Sequence, residues 1–152
     1  MLPDDVLVEI FNFCLVEAME DIEGVYSEYK MKAWQALVHV CRRWRSVVFG
    51  SPRRLELKLV CTTQTPARDT LDVWPALPLV IDSNTVYVDN IFGLLECSDR
   101  INQISLWGAN WEDILEAMEV PFPELTFLWL NAETGPALPL SDSFLGGSAP
   151  RL

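Results

Sequence analysis

The chain has 152 residues, half of them apolar, and a formal net charge of −11. That length and apolar share suit one core of ordinary size and argue against disorder as the default, and the apolar runs end well short of the about 18 residues a membrane helix needs. Asp4 and Asp5 stand where a secretory signal would carry basic residues, so the expectation is a soluble protein of the cytoplasm or nucleus with no membrane partner.

Charge is divided unevenly. Residues 1–68 hold nine acidic and nine basic side chains, whereas residues 69–152 hold thirteen acidic and two basic ones. Such an acidic second half argues against a nucleic-acid partner. The four cysteines, Cys14, Cys41, Cys61 and Cys97, are 27, 20 and 36 positions apart, which fits no paired-cysteine metal or redox spacing. Separate thiols in a reducing compartment are expected, with no metal and no cofactor.

In chain order, Val6, Leu7, Ile10, Phe11 and Cys14 recur at the spacing of one helix face. Pro3 is expected at the first helical position, with Asp4 and Asp5 set against the positive end of the helix dipole. An acidic stretch near residues 15–32 follows, with Glu17, Glu20, Asp21, Glu23 and Glu28 against Lys30 and Lys32. Trp34, Leu37, Val38, Cys41 and Trp44 then predict a second helix, stopped by Gly50-Ser51-Pro52. The basic concentration Arg42, Arg43, Arg45, Arg53, Arg54 and Lys58 reads as a solvated helix face.

The opening LPDDVLVEIF and the later VCRRWRSVV resemble an F-box, the helical module that joins a substrate receptor to the linker protein of a cullin-based ubiquitin ligase. The resemblance covers residues 1–54; the acidic stretch departs from the family's short link between these helices. It implies a Skp-family linker as partner. It further implies that Leu2, Pro3, Val6, Leu7, Ile10, Phe11, Leu37, Val40, Cys41 and Trp44 share the work of packing the helices and contacting that linker.

Beyond Pro52 the periodicity changes. Leu55-Glu56-Leu57-Lys58-Leu59 alternates as a half-buried strand would. Thr65-Pro66 predicts an N-cap and first helical position for a helix over Ala67 to Trp74, and Leu77 to Ile81 a second strand. Ile101, Ile104 and Leu106 are then repeated by Leu125, Leu128 and Leu130 at an offset of 24 residues. Helical stretches over Asp89–Cys97 and Trp111–Met118 precede the two sets. Leu77 lies a further 24 residues before Ile101, and Leu152 lies 27 after Leu125.

A strand and a helix every 20 to 29 or so residues is the pattern of leucine-rich repeats. The asparagine such repeats carry after the last leucine is replaced by Glu133 in one unit, and in the other Ala109 holds its place with Asn110 one position late. The expected fold is therefore α/β: a short helical module, then over residues 55–152 a truncated leucine-rich-repeat-like solenoid of parallel strands and helices. Only the segment from Leu138 to Leu152 is left to cover the last strand, and it is expected to be poorly ordered.

The order of VCRRWRSVVFGSPRRL, TPARDTLDVWPALPLVI and FLGGSAPRL is similar to that in a large family of fungal F-box proteins with irregular leucine-rich repeats. That resemblance implies a truncated, non-enzymatic substrate-receptor adaptor, with a protein substrate that the residues do not name. The alternative is a leucine-rich-repeat interaction scaffold with no ubiquitin role. His39, the single histidine, lies about 200° around a common helix from Cys41, too far for a nucleophile and base pair. Gly146-Gly147-Ser148 lacks the flanking residues of a phosphate loop, and Glu112, Asp113, Glu116 and Glu119 read as a solvated helix face. Trp34, Trp44, Trp74 and Trp107 fall on apolar patterns and are expected as core or interface anchors.

Overall fold

The computed structural model describes residues 2–17, 28–109, 111–132 and 138–152. Most of the acidic stretch, together with Asn110 and Glu133, therefore lies outside the described residues. The chain is α/β and divides into two compact units, Met1–Lys58 and Leu59–Leu152.

The first unit is helical, with α1 over Asp4–Glu17, α2 over Glu28–Val40 and α3 over Arg42–Gly50. Pro3 stands one place earlier than expected: the Leu7 amide donates to the Pro3 carbonyl at 3.2 Å, so Pro3 precedes the first helical residue. The single helix expected over Trp34 to Trp44 is two helices. Cys41 is extended, with φ −161° and ψ 168°, and the chain restarts there. Arg45 stabilises the break from both sides. Its amide donates to the Cys41 carbonyl at 3.1 Å, the first turn of α3, while its Nε donates to the Val38 carbonyl at 3.1 Å, satisfying an acceptor that the end of α2 leaves without a helical donor. The expected stop holds, since Ser51 closes α3 by donating to the Val48 carbonyl.

Residues 55–58 are not strand. Leu55 and Leu57 are buried and Glu56 exposed, as the alternation requires. The backbone nevertheless turns: Leu55 N–H reaches the Ser51 carbonyl at 3.1 Å, Leu57 N–H reaches the Pro52 carbonyl at 2.9 Å, and Glu56 adopts φ +48°. A turn whose buried residues happen to alternate imitates the strand pattern. Lys30, itself buried, pairs with the Glu56 carboxylate at 3.1 Å, and Trp34 Nε1 donates to the Lys58 carbonyl at 3.2 Å, so α2 holds this turn in place.

The second unit is a parallel sheet in the order β1-β2-β3-β4, with β1 over Leu59–Thr62, β2 over Leu79–Asn84, β3 over Ile101–Gly108 and β4 over Phe127–Ala132. The crossovers carry α4 over Ala67–Val73, α5 over Val88–Leu95 and α6 over Glu112–Ala117. The 24-residue offset is exact between the last two strands, where Ile104 pairs with Leu128 and Leu106 with Leu130. It fails one strand earlier. A register shift between Leu79 and Val80 sets Leu79 against Ile101 but Ile81 against Ile104, so Leu77 stands outside the ladder. Cys61, Ile81 and Ile104 form one fully buried row on the inner face, and Ser83 and Leu106 form the next.

Two further details differ from expectation. Thr65 does not cap α4; the Asn90 carboxamide on α5 does, accepting from Ala67 N–H at 2.5 Å while donating to the Thr62 carbonyl at 3.3 Å. Residues 138–152 are not loose either. Leu145 is buried and donates its amide to the Met118 carbonyl at 2.9 Å, Arg151 pairs with Glu124, and Gly146 at φ +60° comes so close that an added Cβ would lie 2.6 Å from the Pro121 nitrogen.

Burial pushes the Cys61 thiol up to about 11 from its ordinary 9.0, against a smaller opposing effect of a Thr70 hydrogen bond. A raised acid favours the protonated native state, so its contribution to stability is complete below pH 9.0 and is lost as pH rises towards 11. At pH 8 Cys61 should be alkylated roughly a hundredfold or more slowly than the exposed Cys14 and Cys41, as read by mass spectrometry of tryptic peptides. Equal rates at Cys61 and Cys41 would contradict its burial.

Candidate protein-docking surface

Helix α1 is apolar on two sides. Leu7, Val8, Phe11 and Leu15 are buried, and Phe11, with 0% exposure, meets Trp44 of α3 at a ring-centroid distance of 4.7 Å and an interplanar angle of 57°. Such tilted aromatic pairs add about 0.5 to 1.5 kcal/mol to the burial itself. On the other side Val6, Ile10, Phe13 and Val16 are exposed, Phe13 at 65%. At about 100° per residue these four fall within about 120° of arc, an apolar face that Glu9 and Glu17 share. Leu2 and Pro3 extend it beyond the helix start and are also exposed.

An electrostatic clamp fixes which side faces out. Arg43 Nη2 pairs with Asp4 Oδ1 at 2.7 Å and also donates to the Leu2 carbonyl. Arg54 reaches Asp5 at 3.4 Å and Glu9 at 2.7 Å. Each exposed pair is worth at most about 1 kcal/mol, but two arginines gripping three carboxylates on one helix oppose its rotation. The basic run is thus not merely a solvated face: Arg43, Arg45 and Arg54 hold the unit together.

The residues expected to serve the partner divide accordingly. Leu7 and Phe11 are buried within the unit, on the packing side of the expected face. Leu37 and Trp44 are half-buried. Leu2, Pro3, Val6, Ile10, Val40 and Cys41 are exposed, Cys41 at the break between α2 and α3. Phe13 and Val16, which the sequence analysis did not single out, are exposed as well. Their signal is the apolar character of α1 on nearly every side, which a search for one stripe passes over.

The remaining candidates bring no reactive set together. His39 is exposed, as are Glu112, Asp113, Glu116 and Glu119, and among the described residues no group of three or more His, Cys, Asp or Glu side chains is arranged to hold a metal ion. Hydrogen bonds from Ser141 and Ser143 hold the Glu119 carboxyl below its usual range, which ties it to the terminal segment. Among the described residues no helix is long and apolar enough to cross a membrane. No protein-family model, curated protein or solved structure matches the chain.

The two phenylalanines of α1 separate packing from surface. Phe11→Ala should cost about 3 to 5 kcal/mol in urea unfolding of the full chain, whereas Phe13→Ala should stay within about 0.5 kcal/mol of the parent. Similar losses for both would mean that the outer stripe is part of the core.

Proposed function

We propose that this protein is a non-enzymatic substrate-receptor adaptor of a cullin-based ubiquitin ligase. In this reading the helical unit is an F-box-type module that docks a Skp-family linker, and the parallel-sheet unit is a short leucine-rich-repeat-like solenoid that presents a surface to a protein substrate. The observation that carries the reading is the outer stripe Val6, Ile10, Phe13 and Val16 on a helix whose opposite side is already buried. An exposed face with four large apolar side chains is stabilised when a partner covers it, and a helix that lays such a face into a partner's groove is a recurring recognition mode. The F-box-like motif order at the same helix names the partner class, and the repeats at an offset of 24 residues support a repeat-built substrate unit.

Leu2, Pro3, Val6, Ile10, Val40 and Cys41 are assigned to the linker contact, with Phe13 and Val16 added; Leu37 and Trp44 support it from their half-buried positions. The full chain should capture a Skp-family linker on co-expression. Ile10→Ala and Phe13→Ala should each weaken capture by about 30-fold to 1000-fold, the cost of about 2 to 4 kcal/mol typical of a central apolar anchor. Glu112→Gln on α6 should leave capture unchanged. A folded wild-type chain that captures no linker overturns the reading in favour of a repeat scaffold without a ubiquitin role.

A further inference from the structure

We infer that the open edge of β4 binds an extended peptide segment in which apolar residues alternate with basic ones, adding it to the sheet as a further strand. This deepens the substrate side of the reading above and rests on that reading for the role of substrate, but the residues that carry it lie outside the helical unit.

Backbone hydrogen bonds fix which groups of β4 point outward. In a strand the N–H and C=O of one residue point to the same side, and consecutive residues alternate. Leu59 N–H donates to the Pro78 carbonyl at 2.9 Å, and Thr85 N–H donates to the Trp107 carbonyl at 2.8 Å. Ser105 and Trp107 therefore turn their backbone groups to β2, while Ile104 and Leu106 turn theirs to β4. With Ile104 paired to Leu128, the residues of β4 bonded to β3 are Phe127, Trp129 and Asn131. Leu128 and Leu130 are left with both N–H and C=O on the outer edge. Strand β4 is the last of the sheet, and among the described residues nothing bonds to that edge.

The side chains along the edge are equally unfinished. Ile104 and Leu106 of β3 are fully buried, whereas their β4 partners Leu128 and Leu130 are half-buried. The apolar inner layer thus runs out into solvent at β4. On the other face Trp129 is 44% exposed. Edge strands are commonly blunted by a charge, a proline or a bulge. The strand FLWLNA has no charge and no proline, and its ladder with β3 is unbroken.

These features select the occupant. A peptide that adds as a strand sends alternate side chains to opposite faces, so apolar ones cover Leu128 and Leu130 while the others stand beside the Trp129 indole, whose face attracts a cation. Charge complementarity points the same way. Residues 59–152 carry thirteen acidic side chains against Arg68, Arg100 and Arg151, so the surrounding field draws in a basic segment. A second copy of the chain would bring the same excess of negative charge to the edge, which opposes pairing of β4 with itself.

The test uses the full chain at physiological ionic strength and a fluorescent peptide of alternating valine and lysine, read by anisotropy. Two counterparts accompany it: the same peptide with glutamate for lysine, and the valine–lysine peptide N-methylated at every amide, which keeps its charges but cannot donate to an edge. The unmodified lysine peptide is expected to bind at least roughly tenfold more tightly than either. Leu130→Pro removes one outward N–H while leaving the bonds to β3, and should weaken binding roughly tenfold more than Leu130→Ala. Unchanged circular dichroism of both variants guards against a folding effect, and the N-methylated peptide tests the edge on the unaltered chain. Equal binding of the N-methylated or the glutamate peptide overturns the inference, as do equal losses with the two Leu130 variants. So does a dimer in analytical ultracentrifugation that Leu130→Pro dissolves, since it gives the edge to a second copy. A chain that captures the linker but binds no peptide overturns this inference alone, and one that binds the peptide but captures no linker overturns the adaptor reading alone.

Discussion

The helical unit depends on a constraint that α1 cannot escape: fourteen residues of helix carry apolar side chains on two sides, and the unit has partners for one. The inner side is fixed by Phe11 against Trp44 and by Leu7, Val8 and Leu15, all buried. Arg43 and Arg54 then bind Asp4, Asp5 and Glu9 of the same helix, while Val6, Ile10, Phe13 and Val16 stay outward. Rotating α1 to bury the second stripe would expose the first and part the arginines from their carboxylates. The outward stripe is thus a consequence of how the unit is held together.

The sheet unit follows a parallel logic. Its inner face is a continuous apolar layer from Cys61 through Ile81 to Ile104, and the outer face of the same strands carries Asp82, Trp107 and Trp129. Asn90 links α5 to both the β1 end and the start of α4, so neighbouring crossovers are joined by a part-buried polar bridge as well as by packing. At the other end Leu145 and Gly146 close over Met118 and Pro121, holding the terminal segment against the α6 end.

Much of this was legible in the residues. The alternation of strand and helix, the parallel pairing, the helices of the three crossovers and the exact offset from Ile104 to Leu128 all follow from periodicity, because each strand must turn its apolar residues to the same face as its neighbour's. What escaped depends on contacts between residues far apart in sequence. The break at Cys41 rests on the guanidinium of Arg45, the cap of α4 on Asn90, and the order of the last segment on Leu145 meeting Met118. Leu55 to Lys58 misled because burial alternates there while Glu56 turns the backbone to positive φ, which no hydrophobic pattern records. Of the candidate contact residues, Leu7 and Phe11 could not be told from Val6 and Ile10 by type or spacing, since the two sets occupy adjacent arcs of one helix.

The claim at the centre of this account is that a partner covers the outward side of α1 and the α2–α3 break. Exposed thiols stand at both places, Cys14 on α1 and Cys41 at the break, while Cys97 lies in the other unit as a reference. Alkylation rates of the three should be measured in the free chain and in its complex with a Skp-family linker. The account predicts slower reaction of Cys14 and Cys41 in the complex with Cys97 unchanged; no complex, or one in which Cys14 and Cys41 react as in the free chain, would contradict it.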